Sequence, residues 1–209
     1  MSDLATDAEM WDRRYSAPDL VWGTEPNRRL VAEVSALPPG RALDLGAGEG
    51  RNAAWLATRG WDVTAVDFSP AGTLRAREMA ARQGVLVNAL VADLAEYVPD
   101  PGAFDLVIIL YLQVPPDLLD RVVGRAADAL APGGTLLLIG HAVRNLEHGH
   151  GGPQDISLLH SPEQVVRAIG DPLIVDIADH VERIVATAGG ERVAIDTLVR
   201  AHRPQRTAG

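Results

Sequence analysis

Short apolar runs rich in branched side chains alternate along this chain with amphipathic stretches of about ten to fifteen residues, the alternation expected of a parallel sheet wrapped by helices. The pattern predicts strands at Ala42–Leu45, Asp62–Val66, Leu86–Val91, Leu106–Leu110, Thr135–Ile139, Ile174–Val185 and Arg192–Ala201. The last two are longer and alternate more strictly. Between them Ala188-Gly189-Gly190-Glu191 supplies hairpin turn residues, whereas a parallel pair would need a crossover helix, so the sheet is expected to end in an antiparallel strand. Ser69-Pro70 and Ser161-Pro162 each offer an N-cap followed by proline at the first helical position, and Gln164 stands where a capping box with Ser161 requires it. Gly60 and Gly84 mark helix stops, and Leu37-Pro38-Pro39-Gly40 ends any helix before the first strand. The expectation is one α/β domain over residues 1–209: an N-terminal helical cap (1–36), a doubly wound, mostly parallel seven-stranded core with an antiparallel C-terminal hairpin (37–202), and a flexible tail (203–209).

Composition narrows the chemistry. With 47% hydrophobic and 22% charged residues the 209-residue chain has the balance of a globular protein. It has no cysteine, which removes disulfides, thiolate metal sites and cysteine nucleophiles. A net charge of −9 argues against nucleic acid as a partner. The longest apolar run, Leu106 to Leu112, is far too short for a membrane span, and the acidic start MSDLATDAEM is unlike a signal peptide, so a cytoplasmic location is expected.

The densest chemical signal is Arg41-Ala42-Leu43-Asp44-Leu45-Gly46-Ala47-Gly48-Glu49-Gly50-Arg51-Asn52, a strand running into glycines and then into a helical pattern. Such a turn lets backbone approach a nucleotide-like ligand at the carboxyl edge of a sheet. The glycines fall at alternate positions, and Arg51 stands where a dinucleotide fingerprint wants its third glycine. Asp44 and Glu49 would repel a pyrophosphate but attract a ligand that carries an ammonium and a sulfonium. Asp67, about twenty residues beyond the loop at the end of the second strand, is placed to accept from ribose hydroxyls. Asp93 and Leu94, after the third strand, are placed to meet an adenine amino group and cover its ring.

These residues resemble the class I S-adenosylmethionine-dependent methyltransferases: DLGAGEG is similar to their first motif, VTAVDFS to the second, VADL to the adenine motif, and FDLVIILY with LAPGGTLLLIG to the fourth and fifth strand regions. The resemblance implies a Rossmann-like sheet of order 3-2-1-4-5-7-6 and S-adenosylmethionine as cofactor. It implies cofactor contacts from Asp44, Gly46, Ala47, Gly48, Asp67, Phe68, Ser69, Asp93, Leu94 and Leu110. The segment WDRRYSAPDLVWGTEPNRRL is similar to the entry segment of the tellurite-resistance and thiopurine methyltransferase branch. That likeness implies that Trp11, Tyr15 and Trp22 close over the methionine part of the cofactor, and that Arg51 and Asn52, similar to the branch's GRN, lie beside it. It also implies a small, soft acceptor, a thiol or selenol. The loop that follows the fifth strand does not match the branch.

A hydroxyl or amine acceptor would instead call for a general base near neutral pKa. His141 and Tyr111, at the ends of the fifth and fourth strands, are the catalytic candidates. The stretch from His141 to His160 holds four histidines and three glycines without periodicity and is expected to be a long functional loop. A metal held by these histidines with Asp155 is the lesser reading, and no residue is assigned to a metal. The expected partner is a small-molecule methyl acceptor, with neither nucleic acid nor membrane, and the chain is expected as a monomer or homodimer. A nicotinamide oxidoreductase and a non-catalytic cofactor-binding module are the rival readings.

Overall fold

The computed structural model describes residues 3–171 and 173–205. They fall into two units, one from residues 1–98 with 104–106 and one from 99–103 with 107–209. Seven strands hydrogen-bond in the order β3-β2-β1-β4-β5-β7-β6, which is the expected order.

The first unit holds α1 (Asp3–Tyr15), α2 (Arg28–Val34), β1 (Arg41–Leu45), α3 (Arg51–Thr58), β2 (Asp62–Asp67), α4 (Pro70–Arg82), β3 (Asn88–Val91) and the start of β4 (Phe104–Leu110). β1 runs parallel to β2, and β2 parallel to β3. All of Ala42 to Leu45 is buried, so β1 is enclosed on both faces, and it carries one acid, Asp44, among its apolar residues. β3 begins two residues later than Leu86, because its ladder with β2 opens at the pair Thr64 and Asn88. Leu86 is left 90% exposed, while Val85 and Val87 pack on Ala54, Met79 and Ala80.

The second unit holds the rest of β4, α5 (Pro116–Ala129), β5 (Leu130–His141), α6 (Asn145–His148), a 3₁₀ turn (Ile156–Leu158), α7 (Pro162–Ile169), β6 (Ile174–Thr187) and β7 (Gly190–His202). β5 pairs antiparallel with β7 from Thr135 opposite His202 to His141 opposite Asp196. The expected hairpin is present, with Thr187 opposite Gly190 at its closed end. Its core side chains include Ile108, Ile109, Leu119, Leu136, Leu137, Leu138 and Val199, all essentially inaccessible.

Three expectations need correction in this unit. β5 starts at Leu130 rather than Thr135, since Gly133 N–H donates to the Arg203 carbonyl and Arg203 N–H to that of Gly134, carrying the ladder through the Pro-Gly-Gly step. Arg203 is thereby held in place, its guanidinium also donating to the Ala127 carbonyl, so the anchored chain extends past the point where the flexible tail was expected to begin. Residues 206–209 of that tail lie outside the described residues. Ser161 does cap α7 by accepting from Gln164 N–H, but the Gln164 amide donates to Asp120 instead of closing the box.

The histidine stretch is a packed connection rather than an open loop. Ala142 and His160 form a β-bridge. Buried Asn145 accepts from the Ile195 N–H at 2.7 Å and donates to the Gly151 carbonyl at 2.7 Å. No helix among the described residues is long and apolar enough to cross a membrane.

If Asn145 is the pin of this connection, Asn145→Ala orphans a backbone donor and lowers unfolding stability by about 1–3 kcal/mol. Urea unfolding with linear extrapolation measures this, and a loss under about 0.5 kcal/mol would show that the segment is not held there.

Candidate functional site

In the first unit the turn after β1 is built from left-handed glycines, with φ +80° at Gly46, +53° at Gly48 and +77° at Gly50. A side chain is excluded at Gly50 on space as well, since a Cβ there would lie 2.4 Å from the Ala76 Cβ. Asp67, at the end of β2, ties the turn down. Its Oδ2 accepts from Gly48 N–H at 2.8 Å and its Oδ1 from Ser69 N–H at 2.9 Å. Burial raises its pKa, and those two backbone donors oppose the rise.

Ser69 caps α4 by accepting from Gly72 N–H and donates its own proton to Asp12 Oδ1 at 2.6 Å, which also accepts from Ala71 N–H. These two hydrogen bonds hold the Asp12 carboxyl below its ordinary range. Asp12 was not anticipated. Nothing local to α1 marks it, as its partner is 57 residues away. Phe68 is half-buried between Asp67 and Ser69, and Ala47 is half-buried in the turn.

Asp44 differs from the other acids. It is 1% exposed, and its Oδ2 is buried with no hydrogen-bond partner. Burial first and the Asp67 charge second push its carboxyl up to about 7, with Arg51 opposing. Glu49, expected to face the ligand, does not. It is buried and accepts from the N–H groups of Val21 and Trp22 and from Arg75 at 2.8 Å, clasping the segment that follows α1.

Arg51 and Asn52 serve the same segment. The Arg51 guanidinium donates to the carbonyls of Trp22 and Glu25, and Asn52 Oδ1 accepts from Asn27 N–H. Trp11, Tyr15 and Trp22 do come together. Trp11 stacks on Tyr15 at 5.4 Å and lies 6.1 Å from Trp22, while Arg14 sits over both indoles at 4.9 and 5.4 Å. Buried Tyr15 places its hydroxyl against Gly48, where a Cβ would be 2.7 Å away, and desolvation followed by the Asp67 charge raises its pKa. Exposed Asp93 caps its own turn by accepting from Ala95 N–H, and Leu94 is buried.

In the second unit Leu110 is buried at the end of β4, and Tyr111 follows with φ +56°, the one non-glycine in the left-handed region among the described residues. That conformation costs a residue with a Cβ about 1–2 kcal/mol and persists only where its surroundings impose it. Here the Tyr111 N–H donates to the Ile139 carbonyl at 2.7 Å and the hydroxyl to Asp196 Oδ2 at 2.7 Å. His141, at the end of β5, lies with its ring 4.8 Å from that of Tyr111 and its Nδ1 3.7 Å from Asp196 Oδ1.

Asp196 of β7 and Arg183 of β6 complete the group, with Arg183 Nε 2.7 Å from Oδ2 and Nη2 3.3 Å from Oδ1. Neither was singled out from the sequence, where both read as ordinary strand positions. Desolvation would raise the Asp196 carboxyl, but the nearby His141 ring and the donors Arg183 and Tyr111 outweigh it and hold the carboxyl low. His160 is buried with Nε2 2.9 Å from the Leu112 carbonyl, and desolvation keeps it neutral to lower pH than usual. His148 and His150 are exposed, and Asp155 caps Ser157. Among the described residues no group of three histidine or acidic side chains is arranged to hold a metal.

Residues 42–134 match the family described as a methyltransferase domain. The chain is 35% identical over 142 residues to demethylmenaquinone methyltransferase of Thermus thermophilus, covering 66% of this chain and 62% of that one. It is 36% identical over 110 residues to ubiquinone biosynthesis O-methyltransferase of Xanthomonas campestris pv. campestris, covering 52% of this chain and 46% of that one. Of the curated relatives it matches first, the chain spans between 32% and 46% of their length. A structure solved in work on the conversion of a disulfide bond into a thioacetal during echinomycin biosynthesis superposes with a TM-score of 0.76 at 23% identity, covering 96% of this chain and 93% of the other. Residues 42–134 are thus similar to a methyltransferase domain, and the chain has the Rossmann-like fold of the solved structure it superposes on.

The raised Asp44 carboxyl has a measurable sign. In the unfolded chain the group loses its proton near pH 4, whereas in the fold it keeps it up to about 7. The folded state therefore binds more protons in that window, and Asp44 costs stability as pH rises through it. Denaturation of Asp44→Asn against wild type will show the balance moving in the variant's favour between pH 5 and pH 8, by at least about 1 kcal/mol. A difference independent of pH would mean that Asp44 is ionised throughout.

Proposed function

We propose that this chain is an S-adenosylmethionine-dependent methyltransferase that acts on a small acceptor whose proton His141 removes. The observation that carries the cofactor assignment is the buried, unpartnered Oδ2 of Asp44 beside a turn of left-handed glycines. A buried carboxylate oxygen without a donor repels pyrophosphate and suits a guest that brings its own cations. The aromatic group Trp11, Tyr15 and Trp22 fits the same guest, since ring faces attract a sulfonium or ammonium, and Arg14 already occupies such a position over two of the rings. The cofactor would be held by Asp44, by the backbone of Gly46, Ala47 and Gly48, by Asp67, Phe68 and Ser69, and by Asp93 and Leu94. Arg51 and Asn52 contribute by fixing the segment that carries Trp22.

The bound cofactor supplies a methyl group already joined to a good leaving group. What remains for the chain is to align the acceptor, exclude water and take up a proton. His141 suits that role: its side chain is 14% exposed, and a 2%-exposed carboxylate stands behind its Nδ1. A fixed imidazole favours a hydroxyl or amine acceptor, such as a phenol, because these hold their proton near neutral pH. A thiol or selenol acceptor is the second reading. It rests on the likeness of residues 11–30 to the tellurite-resistance and thiopurine branch and on the similarity to the fold studied in thioacetal formation. The net charge of −9 supports a small molecule over nucleic acid in either case.

Thermal denaturation in the presence of S-adenosylhomocysteine at about 100 times its Kd will show stabilisation of about 2.7 kcal/mol, while NAD gives none; stabilisation by NAD alone reverses the assignment. With cofactor bound, His141→Gln will turn over a phenol or amine panel about 100-fold more slowly than wild type with cofactor affinity unchanged. Undiminished turnover of a thiol panel by that variant selects the second reading. Tight cofactor binding without product from any panel selects a non-catalytic module.

A further inference from the structure

The polar group at the ends of β4 and β5 contains more than a base. Asp196 is a buried carboxylate with three neighbours of different kinds. Arg183 forks onto it through Nε and Nη2, Tyr111 donates its hydroxyl to Oδ2, and His141 Nδ1 faces Oδ1 at 3.7 Å. The last distance is too long for a hydrogen bond, yet Nδ1 is itself buried and has no partner at hydrogen-bond length. The backbone at Gly152 closes over the same nitrogen, since a Cβ there would lie 3.1 Å from it. A buried ring nitrogen facing a carboxylate oxygen is satisfied by one arrangement only, with the proton on that nitrogen, because two facing acceptors leave both unpaired.

We infer that Asp196 and Arg183 are positioning residues for His141: Arg183 anchors the carboxylate, and the carboxylate holds the imidazole with its proton on Nδ1, so that Nε2 is the nitrogen that accepts the acceptor's proton. This rests on the base-assisted reading above. As the acceptor atom bonds to the methyl carbon, the carbon–sulfur bond breaks with its electron pair left on sulfur. The acceptor's proton passes to Nε2, and the resulting imidazolium faces Asp196. The cation lost at sulfur is thereby regained beside a buried anion rather than in isolation, and closing the 3.7 Å gap by under 1 Å completes a charge-assisted hydrogen bond. Tyr111 is excluded as the base. Its hydroxyl is a donor committed to Asp196, and its ring, with Arg183 5.5 Å above it, spaces the imidazole from the guanidinium. The left-handed backbone at Tyr111 is what aims that hydroxyl back at β7.

The tautomer is measurable without any acceptor. In the full chain labelled with ¹⁵N-histidine, long-range ¹H–¹⁵N spectra at pH 8 separate protonated from bare ring nitrogens, and His141→Gln identifies the His141 signals. The expected result is His141 protonated on Nδ1. His160 gives the internal contrast, protonated on Nε2 because that nitrogen faces the Leu112 carbonyl. In Asp196→Asn the side-chain amide can donate to Nδ1, so the His141 proton moves to Nε2 while the His160 signals stay in place. Wild-type His141 protonated on Nε2 overturns the inference, and so does a tautomer that Asp196→Asn leaves unchanged in a protein whose His160 signals are intact. Should that variant fail to fold, the wild-type tautomer alone decides. With a turned-over acceptor in hand, Asp196→Asn lowers kcat about 100-fold with KM little altered, whereas an equal loss through KM would mark a merely structural role. Absence of cofactor binding would sink the methyltransferase reading and leave the tautomer result standing, so the two failures are told apart.

Discussion

A carboxylate taken out of water has to be met by donors or else keep its proton, and in both units of this protein that constraint organises the chemistry. In the first unit Asp67 meets it with two backbone N–H groups, and Glu49 with two backbone N–H groups and the guanidinium of Arg75. Asp44 leaves an oxygen unmet and keeps its proton up to about 7. The contrast separates acids bonded into the turn from one left with a bare oxygen. Glu49 and Asp67 have donors from within the chain on both oxygens, whereas the Asp44 Oδ2 has none.

The same rule operates in the second unit with a different result. Asp196 is even better supplied, by an arginine fork, a tyrosine hydroxyl and an imidazole at longer range. Removing one partner of such a group leaves a buried charge uncompensated, so the group holds or fails as a whole. That coupling accounts for the backbone of Tyr111. A left-handed tyrosine is tolerated because the hydroxyl it presents to Asp196 and the N–H it presents to Ile139 both depend on it.

The clasp formed by Glu49, Arg51 and Asn52 also changes the meaning of the first motif. Glu49, Arg51 and Asn52, within and just after the glycine turn, grip the chain between Val21 and Asn27. They hold Trp22 beside Trp11, where the Arg14 guanidinium lies over both indoles.

Much of the fold was legible from the chain itself, because the signals are local. Branched apolar runs gave the strands, Ser69-Pro70 and Ser161-Pro162 gave two helix starts, and two glycines between alternating strands gave the hairpin. The glycine turn and its acids were legible for the same reason, each lying within a few residues of a strand end. What the chain could not disclose was which acid each donor would choose. Glu49 and Asp44 look alike in DLGAGEG, and only packing brought Val21, Trp22 and Arg75 to the one and no donor to the Oδ2 of the other. Asp12, Arg183 and Asp196 carry no local mark, since their partners stand as far as 85 residues away. Periodicity tells which face of a strand is buried; the partner of a buried charge is set by the neighbouring strand, and that only the assembled sheet decides.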